Sequence, residues 1–133
     1  MATLPELAIE GPPETVLTPA TARLAAWAKR NSSDVIFGAK TRRDRLLYNS
    51  AVLLDRKGDV VGRYDKIHPT EGELKSGIAP GATDPPVFET DFGIIGIQIC
   101  FDERFVTRNF HRYFKPKFFG PVICKCVRQS GKI

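Results

Sequence analysis

Of the chain's three cysteines, Cys100 stands where the apolar run IIGIQIC meets the polar run FDERF. The end of a buried strand suits a nucleophile, because the sheet fixes the backbone while the side chain emerges at the rim. The competing reading is a buried cysteine that packs as a small hydrophobe, and most cysteines are inert. A thiol is mostly protonated at neutral pH, so a reactive one needs a base or a nearby cation. Lys66 closes the stretch GRYDK. Held close to a thiol, its ammonium would stabilise a thiolate or a developing oxyanion; otherwise it is a solvated charge. Glu6, in LPELAIE, is a carboxylate directly after proline and, taken alone, an ordinary surface acid. Glu71 and Glu73 bracket a glycine, and either could be solvated. His68 precedes Pro69 without a serine or aspartate arrangement that argues for a triad.

The elements that must position these groups are legible in outline. Thr18 and Pro19 read as an N-cap and first helical residue, followed by Ala22, Leu24, Ala25, Trp27 and Ala28 on an apolar side. Asn31-Ser32-Ser33 ends this helix. DVIFGAK (34–40) reads as a buried strand. LLYNSAVLLD (46–55) and VVGRYDK (60–66) read as a hairpin around Arg56-Lys57-Gly58-Asp59. Residues 67–86 read as a long loop, and a loop of that length in a compact domain is more often functional than idle. PVFET is a short strand, Asp91-Phe92-Gly93 a turn, and IIGIQIC a buried strand ending at Cys100. The pattern predicts an α/β or α+β fold and favours a mixed β-sheet with helices on one face.

The 133 residues fit one small domain, and 42 % hydrophobic with 26 % charged residues is ordinary for a globular protein. No run is long and apolar enough for a membrane-spanning helix, and no signal peptide is visible. The expected setting is cytoplasmic, and three cysteines argue against a disulfide framework. The net charge of +5 is unevenly spread. Seven of the 20 basic residues and none of the 15 acidic ones lie in 106–133, which leaves residues 1–105 with 13 against 15. The basic, aromatic-rich stretch FHRYFKPKFF could suit single-stranded nucleic acid; no nucleic acid is the expectation. Pro116 interrupts any membrane-surface helix there, and Cys124-Lys-Cys126 lacks the second pair a metal site needs. No metal and no membrane partner are expected.

Taken together, LPEL, YNSAVLLDRKGDVVGRYDKIHP and GIQICFDERF resemble the nitrilase, or carbon–nitrogen hydrolase, superfamily. Their order is that of the family's glutamate, lysine and cysteine motifs, and IAPG between the last two also fits. The resemblance covers about Leu4 to Phe105. It implies an α-β-β-α sandwich and a thiol hydrolase without metal or cofactor, acting on a small amide or nitrile. By that resemblance Cys100 is the nucleophile, Glu6 the general base and Lys66 the stabiliser of the tetrahedral intermediate. The backbone N–H of Phe101 completes the oxyanion site, and Glu73 helps to position it, with Glu71 competing for that part.

Residues 106–133 do not resemble the family's continuation, and only three residues precede the glutamate motif. The expectation is a partial domain over 1–105, truncated at its start and uncovered at one edge, joined to an unrelated tail over 106–133. A family-type homo-oligomer is correspondingly in doubt. The alternative function is an inactive fragment or a non-catalytic binding module of the same family.

Overall fold

The computed structural model describes residues 1–14, 19–82, 86–91, 93–102 and 122–123. Nine strands and two α-helices occur among them, in the order β1 (Ala2–Thr3), β2 (Ile9–Glu14), α1 (Pro19–Arg30), β3 (Val35–Arg43), β4 (Leu46–Leu54), β5 (Val60–Asp65), α2 (Glu71–Lys75), β6 (Val87–Thr90), β7 (Gly93–Gly96), β8 (Gln98–Ile99) and β9 (Val122–Ile123). A 3-10 turn, Cys100–Asp102, follows β8 directly.

The main sheet is mixed, as expected. β3, β4 and β5 run antiparallel, while β1 and β2 pair in parallel with the far side of β3. The two hairpins follow from turn chemistry. Asp44 and Arg45, both at positive φ, join β3 to β4, which matches the twist of the flanking strands. Between β4 and β5, the Asp55 carboxylate accepts from Lys57 N (2.8 Å) and Asp59 N (2.9 Å).

Side-chain alternation gives the sheet two apolar faces. Val35, Phe37, Ala39, Val52 and Leu54 form one with Ala28, and Leu24 and Ala25 of α1 pack against it. Ile36, Ala51, Leu53 and Tyr64 form the other, covered by Ile95, Ile97 and Ile99. The helix thus lies on one face, and the segment carrying Cys100 lies on the opposite one. The helix begins at Pro19; its expected cap, Thr18, lies outside the described residues.

Two features differ from the sequence reading. The long loop contains α2, started by a capping box in which Thr70 Oγ1 accepts from Glu73 N while Glu73 Oε2 accepts from Thr70 N. Composition alone hid this one-turn helix. The run IIGIQIC changes partner midway. β7 pairs antiparallel with β6, and β8 pairs in parallel with β9, although Ile95, Ile97 and Ile99 keep one facing throughout. On its other side β3 carries β1 and β2, and among the described strands these pair with β3 alone, so they form one edge of the sheet. Of residues 106–133, only Val122 and Ile123 are described, and their backbone pairs with Gln98 and Ile99. The aromatic-basic stretch and the Cys124–Cys126 pair lie outside the described residues.

Candidate active site

Glu6 sits on a detour in the sheet edge. Leu4 N still bonds to Ile36 O (2.8 Å), and the chain then leaves β3, turns with Ala8 N on Pro5 O (3.2 Å), and rejoins at Ile9 opposite Ala39. Leu7 takes a left-handed φ of 51° within this turn. The turn lies directly on Gly38 of β3. A Cβ at Gly38 would collide with Leu7 N and come within 2.9 Å of Glu6 Cα. A glycine at that place lets the backbone carrying Glu6 approach the sheet.

Lys66 extends β5 by one residue. Its N–H bonds to Asn49 O (2.9 Å), and its own carbonyl accepts from Gly81 N (2.8 Å). The side chain is only 1 % exposed, and its Nζ donates to Glu6 Oε1 (3.0 Å) and to Glu73 Oε2 (2.8 Å). Asn49, equally buried on β4, donates from Nδ2 to Glu6 Oε1 and to Glu73 Oε1, both at 2.6 Å. Glu73 is the glutamate that reaches the site. Glu71 is 81 % exposed and pairs with Lys75 at 2.6 Å on the surface of α2.

Burial works against the Lys66 ammonium, but hydrogen bonds and charges from Glu73 and Glu6 outweigh it and raise its pKa above the ordinary lysine value. Burial likewise pushes Glu73 up, yet hydrogen bonds from Lys66, Thr70 and Asn49 hold it below the ordinary glutamate value. The stretch IAPG clips this assembly together. Ile78 N bonds to Glu73 O (3.0 Å), Ala79 N to Leu47 O (2.7 Å) and Gly81 N to Lys66 O.

Cys100 opens the 3-10 turn at the end of β8, partly exposed, with its side chain against the core of Ile36, Ala51, Leu53 and Tyr64. Its φ of 48° is left-handed, a conformation that costs a non-glycine residue about 1–3 kcal/mol and concentrates at functional sites. Phe101 lies in the same turn. Glu6, Lys66 and Glu73 are therefore joined by direct contact. Cys100 and Phe101 are tied to them through Asp102, whose carboxylate bonds to Tyr64 and His68 on either side of Lys66.

A model of the carbon-nitrogen hydrolase family matches residues 1–108. The chain belongs to that family. It is 35 % identical over 91 residues to a nitrilase of Bradyrhizobium diazoefficiens, covering 68 % of this chain and 28 % of that protein. It is 36 % identical over 76 residues to the deaminated glutathione amidase of Mus musculus, covering 51 % and 24 %. In fold it is similar to a cysteine-to-serine mutant of a Nesterenkonia amidase of the nitrilase superfamily. The TM-score is 0.73 at 20 % identity, covering 92 % of this chain and 51 % of that one. The chain thus spans about a quarter of the length of those curated relatives. Its mixed sheet with a helix on one face is part of the family's sandwich.

Sequence reasoning about this family member missed Asn49, Thr70 and Asp102. Asn49 alternates with inward-facing Ala51 and Leu53, so a polar residue at that register was itself the signal. Thr70-x-x-Glu73 carries the capping-box spacing. Asp102 stands two residues after the cysteine within GIQICFDERF, a position that marks the residue but not its part in the site.

Proposed function

We propose that this chain carries the catalytic centre of a carbon–nitrogen hydrolase. It would cleave a small amide or nitrile through a thioester on Cys100, with Glu6 as general base and Lys66 as electrostatic stabiliser. One observation supports the division of labour between the two glutamates. Four carboxylate oxygens surround Lys66 and Asn49, and three of them accept hydrogen bonds: Glu6 Oε1, Glu73 Oε1 and Glu73 Oε2. Among the described residues, Glu6 Oε2 is the one left to take a proton.

For an amide the steps then balance, and a nitrile joins them at the thioester after its thioimidate takes up one water and loses ammonia. The Cys100 sulfur bonds to the amide carbon while its proton moves to Glu6 Oε2. Lys66 has three N–H donors, of which two are engaged by carboxylates, so the third meets the developing oxyanion together with the Phe101 backbone N–H. Collapse expels ammonia or an amine, which takes the proton from Glu6 and leaves a thioester. Water, deprotonated by Glu6, attacks that thioester; the carbon–sulfur bond breaks, Cys100 takes the proton back from Glu6, and the acid is released. General-base catalysis contributes about 10²–10⁴-fold, and an oxyanion donor roughly 3 kcal/mol.

The test is the pH profile of Cys100 alkylation by iodoacetamide, read by peptide mapping. A thiol coupled to a carboxylate shares a proton with it. Alkylation should therefore stay fast well below the ordinary thiol pKa of about 8.5, and Glu6→Gln should remove that low-pH shoulder. Ammonia release from short amides and nitriles should vanish in Cys100→Ala. A Cys100 profile that follows an ordinary thiol, together with turnover indifferent to Cys100→Ala, would sink the proposal. Binding of amides without turnover would favour the non-catalytic module.

A further inference from the structure

The buried carboxylate of Asp102 takes no part in the chemistry above. It is 0 % exposed and accepts from four donors: Tyr64 OH (2.6 Å), His68 N (2.8 Å), His68 Nδ1 (3.1 Å) and Ile99 N (3.2 Å). Two of the donor residues, Tyr64 and His68, flank Lys66 at equal distance along the chain. The third, Ile99, immediately precedes Cys100. One carboxylate therefore holds the segment bearing the ammonium and the turn bearing the thiol at the same time. It also holds that turn where Cys100 adopts its left-handed φ of 48°.

We infer that Asp102 is a positioning residue, which sets the separation between the Cys100 sulfur and the Glu6–Lys66 pair without touching substrate. The inference rests on the function proposed above. Tyr64 is suited to its part: burial, and after it the Asp102 charge, push the tyrosine pKa up, so its hydroxyl remains a donor. His68 supplies two donors from one residue, which fixes the chain just past Lys66 as firmly as Tyr64 fixes it just before. Reactivity depends steeply on placement, and a displacement of about an ångström can cost 10²-fold.

Two variants probe the tether. Asp102→Asn keeps the shape but puts a donor where acceptors are needed, and Tyr64→Phe removes one hydroxyl and nothing else. Cys100 alkylation by iodoacetamide is followed at about pH 6.5, where the rate depends on the nearby base, and at about pH 9.5, where the thiolate forms unaided. Asp102→Asn should lower the rate ratio between these pH values by about tenfold, and Tyr64→Phe by a smaller factor, with the high-pH rate unchanged. Val52→Ala, in the apolar face under α1, serves as a control that loses thermal stability without changing the ratio.

A variant that merely loosens the fold would expose Cys100 and raise the high-pH rate, and that pattern would overturn the inference. An unchanged ratio in both tether variants, with the shoulder still abolished by Glu6→Gln, would overturn it and leave the proposed function standing. A parent chain without the shoulder would overturn the inference, and if its turnover is also indifferent to Cys100→Ala, the proposed function falls with it.

Discussion

The amide of Asn49 sets the direction of both site carboxylates. Its Nδ2 donates to each at 2.6 Å. Rotating the amide would aim Oδ1 at two carboxylate oxygens, so the observed orientation is the one the neighbours permit. Its Oδ1 is buried without a hydrogen bond among the described residues, which concentrates the residue's function on its nitrogen. The charged partners make a pH prediction. The Glu73 pKa is lowered from 4.5, so its contribution to stability is complete above that value and is lost as pH falls through the lower, folded one. The Lys66 pKa is raised from 10.5, so its contribution is complete below that value and fades as pH rises through the higher, folded one. The pair therefore stabilises most between the two reference values. Thermal melts of the parent and of Glu73→Gln should differ by a constant amount across that window, and the gap should close on its acid side. A gap that persists unchanged to strong acid would show that Glu73 is not held by charge.

At the scale of elements, the site depends on two close approaches to the sheet. One is the Glu6 turn over Gly38, and Gly38→Ala tests it. The added methyl meets backbone atoms on the turn, which cannot yield as a flexible side chain would. The cost expected is about 1–3 kcal/mol, with loss of the low-pH alkylation shoulder of Cys100. A loss of stability with the shoulder intact would show that the turn tolerates displacement. The other approach is the clip of Ile78, Ala79 and Gly81 on Leu47 and Lys66. The elements that were legible beforehand are those with a long local signal. The β4–β5 hairpin, α1 and β3 announce themselves by alternation, capping residues and β-branched runs. The two-residue strands β1 and β9 have no such signal, since their existence depends on a partner strand distant in sequence, and β8 was legible only as the end of the run IIGIQIC. Glu6, Lys66, Glu73 and Cys100 were named from motifs, whereas the choice of Glu73 over Glu71 needed the capping box to show which side chain turns inward. Asn49 and Asp102 reach the segments bearing Glu6, Glu73 and Lys66 through contacts that span 24 to 43 residues, and no local pattern reports those.

For the molecule as a whole, the site is assembled from pieces of very different chain separation. Lys66 meets Glu73 across seven residues, but Glu6 across 60. Glu6 arrives on the edge of β3 by parallel pairing, and parallel neighbours require a crossover, here through α1. This has a kinetic consequence. Contacts that close short loops form first, and long-range parallel pairing comes late. The β4–β5 hairpin, with Lys66 and Asn49 adjacent, should therefore form early, and the Glu6 turn should dock onto it afterwards. Val52→Ala, in the hairpin core, should then slow refolding. Leu4→Ala, which loosens the strand edge leading into the Glu6 turn, should leave the refolding rate nearly unchanged and speed unfolding. Stopped-flow mixing separates the two, and a Leu4→Ala chain that refolds as slowly as Val52→Ala would place the parallel edge in the nucleus. On this order of events the buried ammonium of Lys66 meets Glu73 before it meets Glu6, so the chain passes through a state in which the lysine is already neutralised by one carboxylate while the other has not yet arrived.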